Sequence, residues 1–399
     1  MATTLYCPYC YDRFAERKIE FRCAGRVSVT GKVCKPKVDR NARDVMGDGQ
    51  LRFPAFEADG RKLNATCPHC DLVTFIRLCP NCHSALPNYF GKVDSRMIAL
   101  IGAKESGKTI FITVLLHEMM HRISRQFGVA VLGADDDTRL RYEKDYESSL
   151  YEQGSLPDVT RSASAGRLRQ PLVFSFAIDR RRLGRTRVDR SVLSFFDTAG
   201  EDLTHSDSVE LNTRYLASAD GIILLLDPLQ MRGARPLVGD DTELPVRADA
   251  GDRPEHVLGR VVGLLERMSG ASRRGKIKKP IAVAFSKMDT LLGTLPEDSP
   301  ILAEPPGDAC FDEADSLAVH RHVEQLLHKW QGGGLSETLG VHFEKYRLFG
   351  LSALGNNPVG GAGDDGPRRV SHHGIQPIRV ADPFLWLMSE FGAIPKKRG

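Results

Sequence analysis

The chain has 399 residues, 41% hydrophobic, 27% charged and 7% aromatic, which excludes an unfolded tail and leaves room for two or three domains. Fifty-five Lys and Arg against 51 Asp and Glu give a net charge of +4, too small over this length to call for a nucleic-acid partner. The longest wholly aliphatic run, Ile222–Leu226, is far short of the roughly 20 residues of a membrane span. The opening MATTLYCPYC lacks the basic and apolar regions of a signal peptide, so a cytoplasmic protein without membrane insertion is expected.

Eight of the nine cysteines fall within the first 82 residues. Three C-x-x-C turns, Cys7/Cys10, Cys67/Cys70 and Cys79/Cys82, each aim two thiolates at one point, as tetrahedral zinc with bonds of about 2.3 Å requires. Cys23 and Cys34 stand singly between them. Spacing favours one site closed by the adjacent turns at 67–82 and a second from Cys7, Cys10, Cys23 and Cys34. A cross-braced pairing, with Cys7 and Cys10 joined to a later turn, uses the same eight ligands, and both remain open. Disulfides are set aside because a reducing compartment is expected, and a redox dithiol because several C-x-x-C pairs together favour metal. Four ligands per site leave no position for water, so the zinc is read as structural, contributing on the order of 10 kcal/mol to folding a head with little apolar core. His69 and His83 are read as exposed spacers, and Cys310 has no role.

A strand over Arg96–Ile101 leads into G-x-x-x-x-G-K-T, comprising Gly102, Lys104, Glu105, Ser106, Gly107, Lys108 and Thr109 and running on into a helix at Ile110. Glycines let backbone N–H groups wrap a β-phosphate, and the helix N-terminus adds its positive end. Lys108 would reach the β- and γ-phosphates and Thr109 would ligate Mg²⁺. On that helix, 108–121, His117-Glu-Met-Met-His121 matches the zinc-protease pattern. A helix lying under the sheet, with no third ligand at the usual spacing, argues for ordinary helix histidines.

The stretch from about 122 to 168 is an insertion with an acidic start, a tyrosine- and charge-rich part of helical potential, and then Thr160. Thr160 is the choice for a switch threonine on Mg²⁺, with Thr138 and Thr186 as alternatives; Arg161 reads as a solvated loop residue. Strands at Leu172–Ile178 and Val192–Phe196 flank a turn holding six arginines in Arg180–Arg190. The second strand ends at Asp197-Thr-Ala-Gly200, placing a carboxylate near Mg²⁺ and a glycine N–H near a γ-phosphate. A strand at Gly221–Leu226 ends at Asp227, and another at Pro280–Phe285 ends at Ser286, Lys287 and Asp289. There the Asp289 carboxylate would accept from guanine N1 and N2 while the Lys287 stem lies along the base. A last strand, Tyr346–Gly350, precedes Ser352, Ala353 and Leu354. Each motif follows a strand, where open α/β sheets bind ligands. Loops are expected at 229–254 and 356–374, and Asp382-Pro383 is read as the cap and first turn of a final amphipathic helix.

In this order the motifs resemble those of a P-loop GTPase with a Ras-like core: an α/β mixed sheet flanked by helices, here preceded by a small zinc-ribbon domain. Asp197–Asp202 (DTAGED) and Asp382–Leu387 resemble the second type of bacterial double-GTPase proteins, which join a zinc ribbon to a GTPase domain. The expected division is 1–93 zinc ribbon and 94–399 GTPase. The resemblance implies GTP/GDP switching with Mg²⁺ beside protein partners, such as a second GTPase or a regulator, in bacterial conflict or defence systems. Glu201 stands where Ras-like proteins have the water-orienting Gln. A carboxylate beside a γ-phosphate is repelled, so slow hydrolysis is expected, with Lys108, Thr160 and Glu201 as the candidate catalytic set. Ser286 stands where Asn is usual and is shorter, so the tie between guanine loop and phosphate loop is expected to weaken, leaving ATP as an alternative. A zinc-ribbon nucleic-acid binder regulated by nucleotide turnover is the competing reading.

Overall fold

Ile222–Leu226 carries no polar residue because both of its faces are covered, the situation of a central parallel strand. It lies in a sheet of seven strands. The structure, a computed structural model, describes residues 4–27, 31–87, 89–103, 105–156, 171–182, 185–195, 213–238, 253–269, 275–360 and 368–397. The strands are β1 (Asp94–Gly102), β2 (Val129–Gly133), β3 (Leu172–Arg182), β4 (Arg185–Phe195), β5 (Gly221–Leu226), β6 (Ile281–Phe285) and β7 (Tyr346–Gly350). Their order is β2-β3-β4-β1-β5-β6-β7. β2/β3 and β3/β4 pair antiparallel and the other neighbours parallel, which makes the sheet mixed.

Alternation along each strand feeds two cores. Met97, Ala99 and Ile101 of β1 and Ile222, Leu224 and Leu226 of β5 face one cluster, with residues of helices 254–269, 313–329 and 333–342. Ile98, Leu100, Ile223 and Leu225 face the other, with the helix α1 (Lys108–Glu118). Helices α2 (Pro254–Ser269), α3 (Glu313–Lys329) and α4 (Gly333–His342) thus lie on one side. α1 and α5 (Asp382–Glu390) lie on the other. Among the described residues no helix is long and apolar enough to cross a membrane.

Three expectations change here. α5 is not amphipathic: Asp382 through Ser389 are all buried, because the helix packs across β5, β6 and β7 inside the second core. Its cap position is Ala381, and Asp382 is already helical; its carboxylate accepts from Arg379 Nη1 at 2.9 Å. Burial pushes the Asp382 carboxyl up to about 6 despite that guanidinium. Second, the insertion contributes an edge strand, β2, whose residues alternate buried and exposed, before helical turns at Asp136–Arg141 and Tyr142–Glu152. Third, the arginine segment is strand more than turn, since β3 and β4 pair as far as Arg182 with Arg185.

The N-terminal head is built from a hairpin (Thr4–Tyr6 with Arg13–Ala15), short strands at Glu20–Arg22, Ala55–Phe56 and Arg77–Leu78, and a helix, Arg40–Met46. Its first cysteine turn is seated on the sheet. Cys7, Cys10, Cys79 and Cys82 share an apolar cluster with Val173 of β3 and Val192 of β4. Ser194 Oγ donates to Pro8 O at 2.7 Å, Tyr9 Oη donates to Asp135, and the Tyr11 and Tyr215 rings lie 4.9 Å apart.

Candidate nucleotide site and metal centres

The phosphate loop leaves β1 at Gly102, where a Cβ would lie 2.6 Å from Leu225 O and 2.5 Å from Ser106 Oγ, so only glycine fits. Glu105 and Gly107 then take left-handed backbone, φ 62° and 78°, the kind of alternation from which anion-binding backbone nests are built. Gly107 bears this without strain, and Glu105, an exposed side chain, bears it at some cost. Lys108 is buried and its Nζ donates to Gly102 O at 3.0 Å and Ala103 O at 2.8 Å, holding the ammonium at the loop. Thr109 is half-buried in the first turn of α1, and its carbonyl accepts from Thr113 Oγ1 at 2.8 Å. Ile110 packs its side chain against the second core, so it offers the site only its backbone N–H.

The loop after β6 reaches this loop past the end of β5, and the loop after β7 is tied to the loop after β6. Ser286 Oγ lies 3.0 Å from Ser106 O and 3.1 Å from Leu226 O, one hydroxyl proton shared between two carbonyls. The tie expected to be weaker is present, because the Ser106 backbone comes near enough for a serine to span the gap. Lys287, with φ 54°, sends Nζ to Asp227 Oδ2 at 2.7 Å. Asp289 Oδ1 accepts from Ser352 Oγ at 2.5 Å, and burial raises its carboxyl above the usual range while that hydrogen bond opposes the rise. Met288 N donates to Leu351 O at 3.1 Å, fastening the two loops together. Leu354 is buried in the second core with Ala353 packed beside it, so of this last motif Ser352 alone is tied to Asp289.

Lys104, Thr160, Asp197, Gly200 and Glu201 lie outside the described residues. Of the expected Mg²⁺ ligands only Thr109 is described. Thr138 is buried; its backbone N–H donates to Asp135 Oδ1 at 2.6 Å and its hydroxyl accepts from Val173 N at 3.4 Å, so it serves as a helix start. Thr186 sits in β4 opposite Arg181.

The cysteines gather as Cys7, Cys10, Cys79, Cys82 and as Cys23, Cys34, Cys67, Cys70. The pairing is cross-braced, and the sequential pairing favoured by spacing is corrected: the turns at 67–70 and 79–82 belong to different sites. The reason lies in the strands, since Glu20–Arg22 pairs with Arg77–Leu78 and brings the chain's two ends of the head together. Sulfur separations of 3.8 Å (Cys7–Cys82, Cys10–Cys79), 3.5 Å (Cys23–Cys70) and 3.9 Å (Cys34–Cys67) match the roughly 3.8 Å edge of a tetrahedron with 2.3 Å Zn–S bonds. All eight are reduced and buried, and Tyr9 N, Asn81 N and Gly25 N each point at a sulfur from 3.4 Å. Both sets fit zinc. His69 is the exposed spacer expected, but His83 is not: its Nδ1 lies 2.8 Å from Asp39 Oδ1 and its Nε2 3.2 Å from Glu20 Oε2.

Residues 96–338 match the model of the Double-GTPase 2 family. The chain belongs to that family. It is also similar to a putative ESX-1 scaffolding and assembly protein, SaeC, of Mycolicibacterium smegmatis, 30% identical over 338 residues that cover 80% of this chain and 81% of the relative. Among solved structures it overlaps the GTPase-like domain of S. cerevisiae Ski7 bound to GDP and inorganic phosphate, at 12% identity and TM-score 0.29, covering 70% of this chain and 48% of that one. A sup35 chain complexed with GDP overlaps at 12% identity and TM-score 0.25, over 66% of this chain and 38% of that one.

Within the Double-GTPase 2 segment, Asp227 is a site residue that sequence reasoning left without a role. Its side chain is wholly buried; Oδ1 accepts from Leu229 N at 2.8 Å and Oδ2 clamps Lys287. The signal was present in the sequence: a lone carboxylate at the end of an aliphatic strand needs a cationic partner.

Proposed function

We propose that the chain is a GTP-binding switch that hydrolyses GTP slowly and whose zinc head engages protein partners. The observation that carries this is the lacing of the loops after β1, β6 and β7, Ser286 to Ser106 and Ser352 to Asp289, which supports reading Asp289 as the base-recognising carboxylate of a site whose phosphates lie at Gly102–Thr109. In this reading Lys108 leaves its carbonyls for the β- and γ-phosphates, and Lys287, held by Asp227, flanks the base. Asp289 accepts from guanine N1–H and N2–H while Ser352 fixes its orientation. Bound Mg²⁺, held by Thr109 with Asp197 and Thr160, would neutralise phosphate charge. Gly200 would sense the γ-phosphate, and Glu201 in place of a glutamine keeps unassisted turnover low.

Scaffolding and assembly, the role in the relative's name, supports protein partners over nucleic acid and makes assembly control the preferred setting over defence. Affinities of the purified protein for GTP, ATP and xanthosine triphosphate test the site. GTP should bind at least about tenfold tighter than ATP. Asp289→Asn should shift preference to the xanthine nucleotide, because the amide can donate where the carboxylate accepted. Unchanged GTP affinity in the variant refutes the role. Turnover without a partner is expected at about 10⁻² s⁻¹ or slower, and a fast ATPase-like rate would sink the switch reading.

A further inference from the structure

His117 and His121 stand one turn apart, and the helix changes character between them. Regular α1 ends at Glu118 and a wider π turn runs over Met119–Ile123, an irregularity that concentrates at functional sites. The two rings lie 4.3 Å apart. A third group comes from a different element: Glu147, on the inserted helical stretch Tyr142–Glu152, has Oε1 2.9 Å from His117 Nδ1. One ligand atom from each of the three lies within 4.8 Å of the others. Tyr151 stacks on the His117 ring at 3.9 Å and 17°, which fixes the plane of that imidazole.

We propose that His117, His121 and Glu147 bind a divalent transition-metal ion of the zinc, cobalt or nickel class, and that the ion staples the insertion to the phosphate-loop helix. Two imidazoles and one carboxylate are the donor set such borderline ions take, with remaining positions for water. Side-chain exposures of 26% for His117 and 27% for Glu147 leave the donors half-desolvated yet reachable, and His121 is exposed, which provides the entry path. A plain His117–Glu147 hydrogen bond accounts for two of the groups but not for His121 facing the same point.

The site is separate from the nucleotide. His117 is about 14 Å along the helix axis from Lys108 at 1.5 Å per residue. Nor does it make a protease. The Glu118 carboxylate that such chemistry needs as a base accepts from Arg122 Nε at 2.5 Å along the same helix.

Cobalt(II) titrated into the zinc-replete full chain tests the proposal, because a nitrogen and oxygen site gives visible d–d absorption without the thiolate charge-transfer band of the cysteine sites. One equivalent should bind, and its addition should raise the thermal midpoint. His121→Ala, at an exposed position, and Glu147→Gln, which keeps the carboxylate's shape without its charge, should each weaken binding by at least about 100-fold. Both should retain the zinc content of the cysteine sites and abolish the thermal shift. Absence of this cobalt site in the wild type, or undiminished binding in His121→Ala, overturns the site. Undiminished binding in Glu147→Gln overturns the staple.

Discussion

One hydroxyl, that of Ser286, ties the loop after β1 to the loop after β6, and it has a single proton for two carbonyl acceptors. Ser286→Ala removes the tie and leaves Ser106 O to find another donor, while Leu226 O keeps the Ser286 backbone N–H at 2.8 Å. The expected loss is about 1 kcal/mol, or some fivefold in affinity, for GDP and GTP alike. Competition binding of a fluorescent GDP measures it, and equal affinities would show the tie to be idle. At this scale the sequence named residues that the fold brings together but was a poor guide to distance. Lys108, Ser286, Lys287, Asp289 and Ser352 were all identifiable from motif and strand order. That Ser106 O stands within a serine's reach depends on backbone placement to a few tenths of an ångström, which no motif encodes. Asp227 and His83 show the same limit: each is a buried or half-buried charge whose partner, Lys287 or Asp39, is remote in sequence.

Among the elements, the helix at 213–218 ends on a lysine from elsewhere: Lys279 Nζ donates to Leu216 O at 2.6 Å and Ala217 O at 2.7 Å. A cation there suits the helix's negative end, but burial outweighs the help of Asp220 and lowers the Lys279 ammonium from 10.5 to about 8. Between about pH 8 and 10.5 the unfolded chain therefore holds this proton more tightly than the folded one, so stability rises with pH across that window. Below pH 8 the cost of burying the charge is fully present. Relative to Lys279→Met, the wild type should gain about 2 kcal/mol between pH 7.5 and 10. Thermal midpoints of the two proteins at several pH values check this, and a constant difference would contradict it. Elements long and two-sided in the sheet, such as β1 and β5, were legible from their aliphatic runs. β2 was not, because five residues with Leu132 outward carry too little pattern. α5 was misread for the opposite reason. Phe384, Leu385, Trp386, Leu387 and Met388 are apolar all round, and a helix of that kind is buried on every side.

In the whole molecule, the head and the sheet are one packed object on the side of the first zinc set. Cys79→Ser breaks the site whose turn rests on Val173 and Val192, while Cys67→Ser breaks the outer one, which packs among Phe21, Phe56 and neighbouring head residues. Both variants should hold one zinc per chain. Cys79→Ser should lower the thermal midpoint of the sheet domain and its nucleotide affinity, and Cys67→Ser should spare both. Equal effects on nucleotide affinity would refute a mechanical link through β4, the strand that runs toward Asp197.

The burial of α5 also sets a schedule for synthesis. β5, β6 and β7 emerge from the ribosome with one face already able to collect α2, α3 and α4, but the other face has only α1 until residues 382–390 arrive. All eight cysteines of the head's two clusters lie at or before residue 82. A nascent chain thus carries a half-covered sheet from Gly350 to Glu390, about 40 residues, at the usual 5–20 residues per second a wait of roughly 2–8 s. During that interval the apolar edge awaiting Phe384 and Trp386 is the natural target of chaperones, and a stalled or truncated chain is the one expected to aggregate.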